Sequence, residues 1–294
     1  MADYLHGAYG QIQAVGTKVA AKSQNAIVYV GTAPVQTVEG GAKNVNKPIL
    51  VSNIAEARKY FGYSEDWSKY TLCEAMHAHL ENKAVGPLVL INVLDPATHK
   101  ATTGGTKSLT PANGRVTIAD AEDAVLDTVA VTGKTKGTDY TVQYDYKKKT
   151  ITIAEITSGG LGTEALTVTY DIVDATKVDA DDVIGSTDGA GLNKGLYAVK
   201  NVYQETGFIP SFLLAPGFSS VPAVHTAMVQ NSEKVNGHWD IYLMVDIPIV
   251  NAQSQAVTLA SANTWKNANG YTKPNEKVYF PMAEGTDGKK YHLS

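Results

Sequence analysis

The sequence is poor in cysteine, in charge and in long apolar runs, and each shortage excludes a class of structure. Cys73 is the single cysteine, so neither an intrachain disulfide nor a cysteine-based metal site can form. Charged residues are 18% of the chain, against roughly 25% in typical soluble domains, which suits a threonine-rich β protein or a subunit covered by copies of itself. No stretch reaches the ~18 uninterrupted apolar residues of a membrane helix, so we expect no membrane insertion.

The charge distribution argues against a nucleic-acid partner. The net charge is −4, and the longest basic run is formed by Lys147, Lys148 and Lys149. Proteins that bind nucleic acid directly normally present a basic face, which this composition does not indicate. Residues 1–6 lack the basic and apolar regions of a signal peptide, and together with the lone cysteine they fit assembly in a reducing compartment.

A glycine-rich loop and a pair of histidines are the first candidates for chemistry. Residues 185–191 resemble a phosphate-binding loop, but Leu192 and Asn193 stand where a Walker loop needs lysine and then serine or threonine. We interpret this loop as a flexible connection. His77 and His79 lie two positions apart on a predicted helix, so they face different directions and cannot share a metal ion.

Acidic and histidine residues elsewhere also fail to form a recognisable site. Asp179, Asp181 and Asp182 cluster, but glycine and glutamate are missing at the offsets of a calcium loop, so we predict a solvated linker. His225 and His238 have no acidic, cysteine or histidine partner at ligand spacing. The sequence therefore predicts no catalytic residue, no metal site and no bound cofactor.

Short apolar runs alternate with segments of helical spacing at both ends of the chain. Buried strands are predicted at residues 26–30, 49–51, 88–93, 211–217, 241–246 and 278–281. Helices are predicted at residues 54–61, 72–83, 192–205, 222–235 and 254–267, the first of them with Ser52 as its N-cap. Alternating strands and helices predict an α/β core with a mixed sheet flanked by helices.

A threonine-rich segment interrupts this alternation. Between residues 99 and 182 no helical period persists, and glycine-rich or lysine-rich turns separate short alternating segments. Those segments are residues 116–118, 129–131, 140–144, 150–153 and 166–170. Several short alternating strands predict a small antiparallel sandwich or barrel. We therefore predict an inserted all-β domain at 99–182, within a discontinuous core domain at 25–98 and 183–294.

The first 24 residues carry too few large apolar side chains to form a core of their own. Glycines interrupt them, and the alternatives are a frayed terminus or an extended N-terminal arm that becomes ordered against a neighbour. For an arm, the apolar residues most available for a subunit interface are Tyr4, Leu5, Tyr9 and Ile12.

Three stretches of the chain resemble a known family. They read YLHGAYG at 4–10 with IVYVGTAPV at 27–35, then GFIP at 207–210 with LLAPGF at 213–218, and finally VYFPM at 278–282 with GKKYHLS at 288–294. Together they resemble the tail sheath proteins of contractile phage tails, of the type found in prophages and tail-like bacteriocins of Gram-positive hosts. Proteins of this family continue past a segment like the last one into a further domain, so the resemblance implies a chain that lacks that C-terminal domain.

The resemblance implies a structural role without enzymatic activity. A sheath subunit polymerises with copies of itself into rings and a helical tube around the tail tube protein, between baseplate and tail terminator. Contraction then drives the tube through the target cell envelope. The implied location is a virion or tail-like particle assembled in the bacterial cytoplasm. Two alternatives stay open, another tail or baseplate structural protein and a nucleotide-binding α/β enzyme based on residues 185–191.

Overall fold

The computed structural model describes residues 24–250 and 255–294. The predicted arm, with Tyr4, Leu5, Tyr9 and Ile12, lies outside these residues except for its last position. Within the described ranges, no helix combines the length and the apolar character needed to cross a bilayer.

The described residues form the following elements, numbered in chain order. The strands are β1 (Asn25–Gly31), β2 (Ile49–Val51), β3 (Leu88–Asn92), β4 (Gly105–Leu109), β5 (Arg115–Ile118), β6 (Ala130–Val131), β7 (Tyr140–Asp145), β8 (Thr150–Glu155), β9 (Leu166–Tyr170), β10 (Ile209–Leu214), β11 (Tyr242–Asp246), β12 (Glu276–Tyr279), β13 (Ala283–Glu284) and β14 (Lys290–Tyr291). The α-helices are α1 (Ile54–Phe61), α2 (Thr71–Ala75), α3 (Ala180–Ile184), α4 (Val202–Thr206), α5 (Pro222–Ser232) and α6 (Leu259–Ala268).

Six strands form the main sheet in the order β12-β11-β10-β1-β3-β2. The first five are parallel to one another, and β2 pairs antiparallel with β3 at the edge. All six predicted core strands occur, so the prediction of an α/β fold with a mixed sheet is confirmed. The β1 and β3 strands are almost wholly buried, because both of their faces are covered.

Helices cover the two faces of this sheet unequally. The connection from β1 to β3 runs in one direction across the sheet, whereas those leading to β10, β11 and β12 run in the other. Right-handed crossovers therefore place α2 on one face and α3 to α6 on the opposite face. We call the face that carries α2 the α2 face. Helix covers it only over β1 and β3.

Several predicted helices differ from the structure in their caps or bounds; α5 ends at Ser232 and not at residue 235, and α6 begins at Leu259 and not at residue 254. The N-cap of α1 is Asn53, whose side chain accepts from the Glu56 N–H at 2.9 Å, and not Ser52. The Ser52 N–H instead donates to the Glu56 carboxylate at 2.8 Å, so the two residues divide the roles of a capping box. The helix predicted at 192–205 is a 3₁₀ helix at Gly195–Asn201 that continues as α4.

The helix predicted at 72–83 is present and runs from α2 into a π-helical segment, Met76–Asn82. Its predicted apolar face is buried; the four side chains are Leu72, Ala75, Met76 and Leu80. The Cys73 side chain is fully buried on the same helix, and burial raises the pKa of its thiol to about 12. Cys73 is therefore an inert packing residue at neutral pH.

The threonine-rich insertion contains two three-stranded antiparallel sheets. Their strand orders are β4-β9-β6 and β5-β8-β7, and they enclose a hydrophobic cluster separate from the main core. This agrees in part with the predicted all-β character, because the segment also holds two 3₁₀ helices, Leu126–Thr128 and Ala175–Lys177, and the beginning of α3. The β4 strand was not predicted, because most of its side chains are exposed and its sequence shows no apolar alternation.

Candidate assembly surfaces

An exposed aromatic pair lies on the α2 face of the main sheet. Phe212 in β10 and Tyr242 in β11 are neighbours in register, with ring centroids 6.1 Å apart. Their exposed fractions are 39% and 38%, high for large side chains on a central sheet. Ile27 in β1 continues the row and is half-buried. Because α2 does not reach over β10 and β11, Phe212 and Tyr242 are available for contact with another chain.

A second apolar patch lies at the opposite end of the sheet. Ile249 and Val250 follow the carboxyl end of β11, and Leu259 begins α6; they are 50%, 50% and 79% exposed. The Val257 N–H donates to the Ile249 carbonyl at 2.9 Å, which holds the two sides of this patch together. Tyr242 lies at the amino end of the same strand. The two apolar patches are therefore separate, one on the α2 face of the sheet and one beyond the carboxyl end of β11.

The insertion joins the core through polar contacts centred on two adjacent carboxylates. Asp123 accepts from the Tyr70 hydroxyl at 2.8 Å and pairs with Lys69 at 3.3 Å. Its neighbour Glu122 accepts from the Ser64 hydroxyl at 2.6 Å. Charge-assisted hydrogen bonds of this kind have a strict geometry, so they set the orientation of the insertion on the core.

An arginine extends this joint. The Arg58 guanidinium lies beside the rings of Tyr63 and Tyr146, 4.7 and 4.6 Å from their centroids, and pairs with Glu81 at 3.0 Å. Tyr146 belongs to the insertion, whereas Arg58, Tyr63 and Glu81 belong to the core. Because the two rings also contact each other edge-to-face, this cluster connects the two parts of the chain.

We expect Tyr70→Phe to lower the free energy of unfolding by about 1–2 kcal/mol. The Tyr70 side chain is fully buried, and its hydroxyl donates to Asp123 and accepts from Gln36 at 2.8 Å each. Phenylalanine keeps the ring and removes both bonds. Urea unfolding measures the change, with Tyr203→Phe at a half-exposed position as the matched control; equal stabilities of the two variants would contradict the prediction.

The two helix histidines occupy separate environments, as their spacing predicts. His79 contacts the Tyr29 hydroxyl at 2.8 Å, and burial lowers its pKa. His77 lies between Glu81 at 3.0 Å and Asp287 at 3.1 Å. Across residues 24–250 and 255–294, no group of three or more histidine, cysteine, aspartate or glutamate side chains is arranged to hold a metal ion.

In the glycine-rich loop at 185–191, backbone N–H groups donate to a side chain of the loop itself. The Asp188 carboxylate accepts from the N–H groups of Ala190 and Leu192, both at 2.9 Å. The Thr187 hydroxyl donates to the Asn193 side chain at 2.6 Å and closes the loop. A phosphate loop must leave its backbone N–H groups free and must not place a carboxylate among them. The geometry therefore gives no support to the nucleotide-binding alternative.

The acidic cluster is a helix start and not the solvated linker that the sequence predicted. Asp179 caps α3 by accepting from the N–H groups of Asp181 and Asp182, and the Asp182 carboxylate accepts from the Asp179 N–H at 3.0 Å. Asp182 also contacts His99 at 3.2 Å. Acidic residues at the N-cap and three positions later are the signal that the sequence reading missed.

His225 has a buried acidic partner that no local spacing reveals. Its Nε2 lies 2.7 Å from the carboxylate of Glu276 on β12, and the two side chains are 3% and 2% exposed. The ring of Tyr271 stacks on the imidazole with centroids 3.8 Å apart. This enclosed pair ties α5 to the edge of the main sheet. His238 is exposed and lies beside Trp239.

Exposed apolar patches of this kind mark surfaces that contact other molecules, and the histidines described above are engaged in pairing and packing. No family model matches the chain. The chain is similar to the tail sheath protein of Burkholderia phage BcepMu, with 27% identity over 290 residues. This alignment covers 95% of the chain, so the resemblance to tail sheath proteins is confirmed. The chain spans 57% of the length of that phage protein.

Proposed function

We propose that this chain is a structural subunit of a contractile tail sheath, which polymerises around a tail tube and contracts to drive the tube through a cell envelope. The observation that carries the proposal is the alignment with a phage tail sheath protein over 95% of the chain. The partners are copies of the chain itself, the tube protein, the baseplate and the tail terminator. The location is a virion or tail-like particle assembled in a bacterial cytoplasm.

The two apolar patches support assembly between copies of the chain. The Phe212–Tyr242 row lies on the α2 face of the sheet, and Ile249, Val250 and Leu259 lie beyond the carboxyl end of β11. A head-to-tail contact would bury one patch of each copy against the other patch of the next. Such heterologous contacts generate rings or open helices.

Each of the three predicted parts of the chain would have its own role in the sheath. The discontinuous core domain at 25–98 and 183–294 would form the body of the sheath. The inserted domain at 99–182 would project from it, held by the joint at Glu122 and Asp123. The arm at residues 1–24 would dock on a neighbour through Tyr4, Leu5, Tyr9 and Ile12, because strand addition keeps main-chain hydrogen bonds during rigid-body movement.

Negative-stain electron microscopy tests this proposal. The chain is expressed alone and together with any sequence that the gene encodes after Ser294, and each form is concentrated. We expect striated tubes or stacked rings from at least one form. Monodisperse monomers from both forms at high concentration would contradict the proposal.

A charge placed in either apolar patch sharpens this test. In the form that assembles, Phe212→Asp and Leu259→Asp should each prevent tube formation, since a buried unpaired carboxylate strongly disfavours the contact. Leu192→Asp is the matched control, because Leu192 is 63% exposed on the loop at 185–193. Melting temperatures should stay unchanged in all three variants. Normal tubes from both patch variants would exclude these surfaces as the contact.

A further inference from the structure

Residues 281–294 lie across the α2 face as a strap. After β12 the chain leaves the main sheet, forms the β13–β14 hairpin and returns over the sheet. The strap covers a cavity of about 320 Å³. The floor of that cavity is largely apolar and includes Ile27, Leu214 and Met244. The strap is therefore the element that closes this part of the sheet.

The hairpin end of the strap is held by the π-helical segment after α2 and by Trp67, which precedes α2. The Tyr291 ring lies 5.1 Å from the Trp67 ring, and its hydroxyl accepts from the Asn82 side chain at 3.1 Å. His77 reaches Asp287 in the hairpin turn at 3.1 Å. These contacts anchor the hairpin from one side.

The other end of the strap is held by two buried carboxylates. The imidazole Nδ1 of His292 lies 2.8 Å from the Glu74 carboxylate, which also accepts the His292 backbone N–H. Asp246 at the end of β11 accepts from the Leu293 N–H at 3.2 Å and from the Ser294 hydroxyl. Glu74 and Asp246 are 5% and 7% exposed. Glu74 therefore pairs directly with the imidazole, and Asp246 holds the two residues that follow it and acts on the imidazole through its charge.

We propose that residues 291–294 are a proton-controlled strap, closed over the apolar floor while His292 is protonated and paired with Glu74, and released when it loses that proton. A protonated imidazole compensates the charge of both carboxylates. A neutral imidazole leaves the buried Glu74 carboxylate without a positive partner, and buried charge without compensation is costly. This inference concerns the chain itself and does not depend on the sheath assignment.

The groups that face His292 from every surrounding element agree with this assignment. They are Glu74 and His79 from the helix, Asp246 from β11, Tyr29 from β1, Tyr279 from β12 and Tyr291 from the strap. Burial lowers the pKa of His79, which favours its neutral form. Within this set, His292 is therefore the group that supplies positive charge.

The shifts in the pKa values of His292 and Asp246 agree with this geometry. Burial alone lowers the pKa of His292, but its hydrogen bond and charge pairing with Glu74, together with Asp246, outweigh burial and raise it. Burial raises the pKa of Asp246 as well. A raised histidine pKa contributes stability that is fully present below the ordinary imidazole value and is lost as pH rises through the raised value. The strap is thus closed at acidic pH and opens on the alkaline side.

Hydrogen exchange read by mass spectrometry tests this proposal on the whole chain. The readout is the protection factor of the peptide that contains residues 291–294, corrected for the intrinsic pH dependence of exchange. We expect this factor to fall several-fold between pH 6 and pH 9. In His292→Gln it should be low and independent of pH, and in Glu74→Gln the fall should begin at lower pH.

The exposed His238 offers a matched control, because His238→Gln should keep the behaviour of the unmodified chain. Circular dichroism establishes that each variant is folded, and exchange of the β3 peptide should be unchanged in all of them. A protection factor that stays constant from pH 6 to pH 9 in the unmodified chain would overturn the proposal. An equal fall in His292→Gln would overturn it as well.

Discussion

Replacing His225 by leucine should cost about 3–5 kcal/mol of the free energy of unfolding. The reason is that the substitution leaves the buried Glu276 carboxylate without its partner. The Glu276 carboxylate is 2% exposed and would keep only the Lys273 N–H, at 2.8 Å, as a donor. The Tyr271 ring would also lose its stacking partner at 3.8 Å. Urea unfolding at pH 7 measures the loss.

A double variant separates the buried charge from the lost packing. His225→Leu combined with Glu276→Met removes both ionisable groups and keeps similar volumes. Replacing a whole buried pair by apolar side chains is often close to neutral, so the double variant should recover most of the stability lost in the single variant. If the double variant is as unstable as His225→Leu, packing around Tyr271 is responsible and the buried-charge explanation is wrong.

Replacing Ile153 by alanine should destabilise the insertion by about 2–5 kcal/mol and leave the main sheet unaffected. Ile153 lies fully buried in β8, at the centre of the β5-β8-β7 sheet. Its neighbours form a hydrophobic cluster separate from that of the main core. Differential scanning calorimetry should therefore show two transitions, of which only the one belonging to the insertion moves to lower temperature.

Leu90→Ala is the matched control for this prediction. Leu90 is equally buried but lies in β3 of the main sheet, so its truncation should lower the other transition. The pair of variants also tests the predicted boundaries of the insertion at 99–182. A single transition that both variants shift to the same extent would show that insertion and core unfold as one unit.

Much of the core could be predicted because the signals are local. An apolar run such as residues 88–93 suits a strand buried on both faces, and helix–strand alternation then implies parallel strands. Local signals were also overlooked, since Asp179 and Asp182 have the spacing of a capping box. The β4 strand could not be predicted, because its side chains are mostly exposed and only pairing with β9 makes it a strand.

The candidate surfaces depend on residues that are distant in the sequence. His225 and Glu276 are 51 positions apart, and His292 and Glu74 are 218 apart. Neither pair has a spacing that any motif describes. Their contacts exist because the strand order places α5 beside β12 and carries residues 281–294 back over α2.

The sequence by itself determined the class of fold, the positions of the core strands, the absence of recognised catalytic motifs and the resemblance to tail sheath proteins. Periodicity and short motifs hold that information within neighbouring residues. Only the tertiary structure decided which part of the α2 face is left uncovered by helices, where the apolar patches lie and which carboxylate pairs with His292. Those features follow from strand order and crossover direction, which bring distant residues together and which no local pattern encodes.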